Sequence, residues 1–187
     1  ASHHPANMLL LRGFSKRPAW PLMQEIYKLT PCAIAAYPMY RGLARLVGMD
    51  VLPTGITVDD EFQTLLRNYE KYDFIFLHVK GADSAGEDGD FDRKVAVIEQ
   101  VDGAISSLLS LQPDVIVVTG DHSTPAVLKG HSWHPVPFLL YSRYCRPVKI
   151  KKFGELECCS NGMGRIRGAQ LMSLAMANAL KLNKFGA

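Results

Sequence analysis

A single α/β domain of three layers, a largely parallel sheet with helices on both faces, is the fold the sequence predicts. Three observations carry that prediction. Apolar runs without a polar face recur at residues 73–79, 115–119 and 136–141. Stretches with helical spacing fill the gaps between them, and a chain of 187 residues that is 48% hydrophobic can enclose one core. A strand apolar on both sides has to be covered on both sides, which is how parallel sheets sit between helices.

The elements follow in chain order. Met8-Leu9-Leu10-Leu11 is a short continuous apolar run and predicts a first strand buried on both faces. Residues 21–29 and 38–49 have helical spacing, with Pro21 and Pro38 suited to the start and Gly48 to the end of the second. Thr57 with Asp60 three residues later is a short form of the capping box, ahead of a helix through Phe62, Leu65 and Leu66. Residues 73–79 predict the second strand, and the Gly- and Asp-rich stretch 80–90 predicts a loop. The longest helix is expected over 91–111, with Ile98, Val101, Ile105 and Leu108 on one face and Pro113 closing it. Residues 115–119 and 136–141 give the third and fourth strands. A last helix over 169–182 is apolar nearly all round, which predicts cover on most sides. The pattern shows one domain over 1–187 and no linker.

Composition narrows the partners. The net charge is +3, and Lys and Arg are scattered rather than gathered into a patch. That argues against a nucleic-acid surface and suits a small anionic substrate. No apolar run approaches the about 18 residues of a membrane span, and residues 1–5 lack the charged start and apolar core of a signal peptide. A cytoplasmic protein with no membrane partner is the expectation. Cys32, Cys145, Cys158 and Cys159 form no CxxC spacing, so free thiols in a reducing compartment are expected.

The chemistry gathers where two predicted strands end. In an open α/β sheet, ligands bind beyond the carboxyl ends of the strands. After residues 73–79 comes Lys80-Gly81-Ala82-Asp83-Ser84-Ala85-Gly86-Glu87-Asp88-Gly89-Asp90. After residues 115–119 comes Gly120-Asp121-His122-Ser123-Thr124-Pro125, then Gly130-His131-Ser132-Trp133-His134-Pro135. Carboxylates mixed with imidazoles suit Mn, Zn, Co or Mg ions. Two such ions would neutralise the gathered carboxylates and clamp a transferring phosphoryl group. The plainer readings are a solvated acidic loop at 83–90 and a turn at 121–122 whose Asp caps a helix. His78 reads as a satisfied buried histidine, Trp133 as packing and Arg41 as a helix-surface residue. Ser123 and Thr124 lie on no nucleophile elbow.

These segments resemble the metal site of cofactor-independent phosphoglycerate mutases in the alkaline phosphatase superfamily, in their archaeal-type branch. Leu10-Leu11-Arg12-Gly13, Tyr37-Pro38-Met39-Tyr40-Arg41-Gly42-Leu43-Ala44, His78-Val79-Lys80, Gly120-Asp121-His122-Ser123-Thr124-Pro125 and His131-Ser132-Trp133-His134-Pro135-Val136-Pro137 carry the likeness, which runs over nearly the whole chain. The resemblance implies an alkaline phosphatase-like fold and two divalent metal ions. It also implies interconversion of 3- and 2-phosphoglycerate through a phosphoserine, without 2,3-bisphosphoglycerate, in glycolysis and gluconeogenesis.

By the same likeness, Asp83, Glu87 and His131 would hold one metal, and Asp121 and His122 the other. Asp88 is a substitute from the same loop, and His134 would orient His131 by a hydrogen bond. Glu87 stands where the family often has His, which favours a harder ion. Arg12 and Lys80 are candidate contacts to phosphate or carboxylate. The serine nucleophile, another metal-binding aspartate and an inserted second domain belong to parts of the family that these residues do not match. Residues 1–187 are therefore expected to be the carboxy-terminal part of the metal-binding domain, with no catalytic nucleophile and no turnover alone. The missing amino-terminal part or a homo-oligomer is the expected protein partner. A different metal-dependent phosphatase or phosphodiesterase of the superfamily, or a non-catalytic metal-binding module, are the alternatives.

Overall fold

The computed structural model of the protein describes residues 7–11, 13–160 and 162–183. The elements run α1 (Met23–Tyr27), β1 (Pro31–Ala35), α2 (Pro38–Leu46), β2 (Asp50–Val51), α3 (Val58–Asn68), β3 (Phe74–His78), α4 (Gly81–Asp88), α5 (Phe91–Ser110), β4 (Val115–Thr119), β5 (Phe138–Ser142), α6 (Glu155–Ser160) and α7 (Leu171–Asn178). The α/β class expected from the sequence is what is found.

The core is built on β1, a strand that the sequence pattern does not single out. Cys32, Ala33, Ile34 and Ala35 have no exposed surface at all. Successive strand side chains point to opposite faces, so β1 is covered on both. It is the centre of a parallel sheet in the order β2-β1-β3, with Cys32 beside Asp50 and Ala35 beside His78. Pro31 takes the first position of the strand, where the lost N–H matters least. Helices α2 and α3 pack against β1, and its short Cys and Ala side chains let them come close.

Local chemistry sets the helix ends. At the end of α2 the Gly48 N–H donates to the Arg45 carbonyl at 3.2 Å and the Met49 N–H to the Ala44 carbonyl at 2.9 Å. This is the paired return of a Schellman cap, and it needs the left-handed backbone that Gly48 supplies at φ +86°. At the start of α3 the Asp60 N–H donates to Thr57 Oγ1, and the Thr57 N–H donates to Asp60 Oδ2, both at 3.1 Å. The capping box read from the sequence is present.

Several expectations change. Residues 8–11 form no strand, and their side chains are 69–87% exposed; an apolar run becomes a buried strand only where neighbours pair with it. The stretch 80–90 is not a loop but α4, joined to α5 through Gly89 at φ +73° and the Asp90 carboxylate, which caps α5 by accepting the Arg93 N–H at 3.0 Å. The last two strands run antiparallel, Val115 beside Ser142 and Thr119 beside Phe138, so the parallel arrangement is confined to β1, β2 and β3. Helix α5 buries none of its side chains completely, and Ile98 on its expected apolar face stays 52% exposed. The last helix is shorter than expected, and only Met176 in it is buried. The four cysteines are free. Among the described residues no helix is long and apolar enough to cross a membrane.

Candidate metal centre

Three chain segments meet beyond the ends of β1, β3 and β4. From β3 the chain passes through Lys80 into α4, where Asp83 and Glu87 stand four residues apart and so share a helix face. From β4 it passes to Asp121, His122 and Thr124. The segment then returns: the Ser132 N–H donates to the Ser123 carbonyl at 2.9 Å in an isolated bridge. That bridge lays the His131 ring beside the His122 ring, centroids 3.7 Å apart. Beyond β1, the opening turn of α2 adds Tyr40, whose hydroxyl donates to Asp121 and whose ring stacks on His78 at 3.6 Å.

The distances decide what this cluster can do. His131 Nε2 lies 3.5 Å from Asp83 Oδ1 and 3.5 Å from Glu87 Oε1. His122 Nε2 lies 3.5 Å from Asp121 Oδ2, and His122 Nδ1 lies 3.7 Å from Asp83 Oδ1. These separations exceed an N–H···O hydrogen bond of about 2.7–3.2 Å. Two ligand atoms each about 2.1 Å from one ion, at the tetrahedral angle, are about 3.4 Å apart. The three gaps of 3.5 Å therefore match the edges of a coordination shell better than direct pairing, whereas His122 Nδ1 is taken up by Thr124 Oγ1 at 3.0 Å. Asp83, His122 and His131 each offer an atom within 4.8 Å of the others, so together they could hold an ion.

Electrostatics keeps the carboxylates charged. Burial works against the charged form of Asp83, but hydrogen bonds from Lys80 and Thr124 and the nearby Lys80 and His122 outweigh it and lower its pKa. For Asp121 burial is likewise outweighed, by the Tyr40 hydroxyl, His122 and backbone N–H groups. Tyr40 moves the other way: burial, then Asp121 and Asp83, raise its pKa, so the phenol stays protonated and is the donor. Lys80 is paired with Asp83, lies 3.8 Å from Glu87 and sits over the Tyr37 ring at 5.1 Å. Although burial disfavours its charge, those carboxylates raise its pKa.

Of the residues singled out in the sequence, Lys80, Asp83, Glu87, Asp121, His122 and His131 come together. Asp83 lies 3.5 Å from His131 and 3.7 Å from His122, so the two expected ligand sets adjoin in one cluster. Asp88 turns away to Arg93, 2.6 Å distant. Arg12 lies outside the described residues. His134 does not orient His131: its Nδ1 is 2.9 Å from Ser132 Oγ and its ring stacks on Trp133. His78 is not a satisfied histidine, since its buried Nδ1 has no hydrogen-bond partner. Burial, foremost, lowers its pKa and keeps the ring neutral under Tyr40.

Two contributors escaped the sequence reading. Tyr40 follows β1, a strand that the apolar pattern does not mark, so the rule that chemistry collects beyond strand ends does not reach it from the sequence. Thr124 lies on no nucleophile elbow, and its part comes from position instead: it is 4% exposed and hydrogen-bonded between Asp83 and His122.

Residues 1–178 match the sequence profile of the metalloenzyme superfamily. The chain belongs to that superfamily. Among related metalloenzymes, a probable 2,3-bisphosphoglycerate-independent phosphoglycerate mutase of Thermosipho melanesiensis is 55% identical over 181 residues, covering 97% of this chain and 45% of the relative. Proteins of the same description are 56% identical over 181 residues in Thermotoga neapolitana and 51% over 184 in Thermus thermophilus, with the same coverage. A solved Pyrococcus horikoshii protein superposes with a TM-score of 0.89 at 35% identity, over 97% of this chain and 51% of that one. A cofactor-independent phosphoglycerate mutase from Thermoplasma acidophilum superposes with a TM-score of 0.70 at 26% identity, over 87% of this chain and 40% of that one. The chain spans less than half the length of the curated relatives it matches.

Proposed function

We propose that the protein interconverts 3-phosphoglycerate and 2-phosphoglycerate by metal-assisted phosphoryl transfer, and that residues 1–187 supply its metal-binding face. The observation that carries the proposal is the convergence of Asp83, Glu87, Asp121, His122 and His131 at coordination-edge spacing. It occurs in a chain 51–56% identical to probable mutases. The donor set fits divalent ions: carboxylate oxygens with imidazole nitrogens suit Mn, Zn, Co or Mg, and Glu87 in place of a histidine weights the site toward the harder ones.

In this reading Asp83, Glu87 and His131 hold one ion, and Asp121 and His122 the other. Such ions, when bound, offset the charge that a transferring phosphoryl group spreads over its oxygens. The chain's own residues prepare the ground. Tyr40 holds the Asp121 carboxylate, and Thr124 and Lys80 take opposite oxygens of Asp83. Lys80 also carries a charge with which to meet an anionic substrate. The phosphoryl group passes through a serine that the family resemblance assigns outside these residues, which makes the segment bearing it the natural protein partner, in a cytoplasmic enzyme. No 2,3-bisphosphoglycerate is needed, because the phosphoryl group is carried on that serine and returned to the same glycerate.

The test is metal content together with turnover in the full-length protein. Wild type equilibrated with Mn²⁺ and freed of excess ion should retain about two ions per chain and convert 3- to 2-phosphoglycerate without added bisphosphoglycerate. Asp83→Ala and His131→Ala should each lose one ion and the activity together. Retention of both ions in either variant, or brisk hydrolysis of an aryl phosphate with no mutase activity, would remove the reading.

A further inference from the structure

We infer that Thr124 sets the tautomer of His122: its single hydroxyl proton is committed to Asp83, so His122 carries its proton on Nδ1 and presents a bare Nε2 toward Asp121. Thr124 is then a positioning residue, acting on the centre through His122 and Asp83 without touching substrate. The inference deepens the metal reading above and rests on it for its purpose, though not for its test.

The argument is an accounting of protons. Thr124 Oγ1 lies 2.5 Å from Asp83 Oδ1 and 3.0 Å from His122 Nδ1. Two oxygens that close need a proton between them. Asp83 is an ionised carboxylate whose other oxygen is paired with the Lys80 ammonium, and an ionised carboxylate only accepts. The proton is therefore the threonine's. A hydroxyl has one proton to give and lone pairs to receive with. The remaining contact to His122 must run the other way, with Nδ1–H donating to Oγ1. A neutral imidazole carries one proton, so Nε2 is left with its lone pair.

The placement of Thr124 is held from three sides. The residue is 4% exposed. Its carbonyl accepts the Lys94 ammonium at 2.5 Å. Gly86 of α4 lies so close that any side chain there would meet the Thr124 carbonyl oxygen and, at 3.0 Å, its methyl group. The consequence lies on the far side of the ring. The bare Nε2 stands 3.5 Å from Asp121 Oδ2, so two electron-rich atoms face each other with no proton to share. A cation between them resolves that conflict, and the hydroxyl on the near side ensures that a proton does not take its place.

The test reads the tautomer directly. In full-length protein labelled with ¹⁵N, stripped of metal and held at about pH 8, where an ordinary histidine is neutral, long-range ¹H–¹⁵N spectra separate protonated from bare ring nitrogens. His122 is assigned by its loss in His122→Gln. Wild type and Thr124→Ser, which keeps the hydroxyl, should show Nδ1–H and a bare Nε2. Thr124→Val should move the proton onto Nε2 or mix the two forms, and weaken Zn²⁺ binding by about 10- to 100-fold, with Thr124→Ser close to wild type. A wild-type spectrum showing Nε2–H at His122 overturns the inference, whether or not Thr124→Val folds. So does a Thr124→Val protein that keeps both the wild-type tautomer and the wild-type affinity. The assigned tautomer, lost in Thr124→Val, in a protein that binds no zinc would uphold the inference and sink the metal reading instead.

Discussion

Removing the charge of Glu61 should make the protein's stability less dependent on pH. Glu61 lies on α3, is 2% exposed, and accepts the Ala36 N–H at 3.0 Å just past the end of β1. Burial, which disfavours its charged form, outweighs that hydrogen bond and pushes its pKa from the ordinary 4.5 up to about 7, with a small push from Asp60. At about 1.36 kcal/mol per pH unit, that gap corresponds to about 3 kcal/mol between the neutral and charged folded states. The sign follows from the protons. Between the two values the folded chain holds a proton that the unfolded chain releases. Stability is therefore full below about pH 4.5 and falls as pH rises, and the loss is complete above about 7. About 2.5 kcal/mol of it falls between about pH 5 and pH 8. Glu61→Gln keeps the shape and an acceptor for Ala36 while removing the charge; any new unpaired N–H adds a constant of about 1–3 kcal/mol. Urea unfolding of both proteins across that range isolates the effect, since other titrations cancel in the difference. Relative to Glu61→Gln, the wild type should lose about 2.5 kcal/mol of stability from pH 5 to pH 8. A difference that stays constant within about 0.5 kcal/mol would refute burial as the source of the shift.

Three further outcomes follow from the packing around the site. Gly86→Ala gains helix propensity of about 1 kcal/mol but drives a methyl into the Thr124 carbonyl, so a net loss of about 1–3 kcal/mol is expected in denaturant unfolding; an unchanged or raised midpoint would show that α4 can shift freely. Tyr40→Phe keeps the stack on His78 but removes the donor to Asp121. It should leave the melting temperature near wild type while lowering Mn²⁺ affinity by about tenfold in equilibrium dialysis. Ile34→Ala opens a cavity in the fully buried central strand and should cost about 2–5 kcal/mol in the same unfolding assay.

What the sequence by itself determined was chemistry with a local cause. Thr57 and Asp60 are three apart, so their capping box forms whatever surrounds it. The runs at 74–78 and 115–119 are strands because their residues favour extended backbone and have no polar face to keep wet. The segments 80–90 and 120–135 stand out because their carboxylates and imidazoles follow those strands, which is a property of the chain; naming Asp83, Glu87, Asp121, His122 and His131 within them rests on the family resemblance.

Tertiary structure decided what depends on contact between distant segments. Residues 8–11 are as apolar as any strand but find no partner, while Pro31–Ala35, with two alanines and a proline, becomes the core because β2 and β3 flank it and helices close over it. The stretch 81–88 is poor in helix formers and is held as α4 by its packing on α5 and the fit of Gly86 against Thr124. Tyr40 and Thr124 enter the site from 81 and 41 residues away along the chain from the carboxylates they bind. A hydrogen bond over such a span leaves no trace in spacing or periodicity, because the fold, and not the chain, sets the distance between its partners.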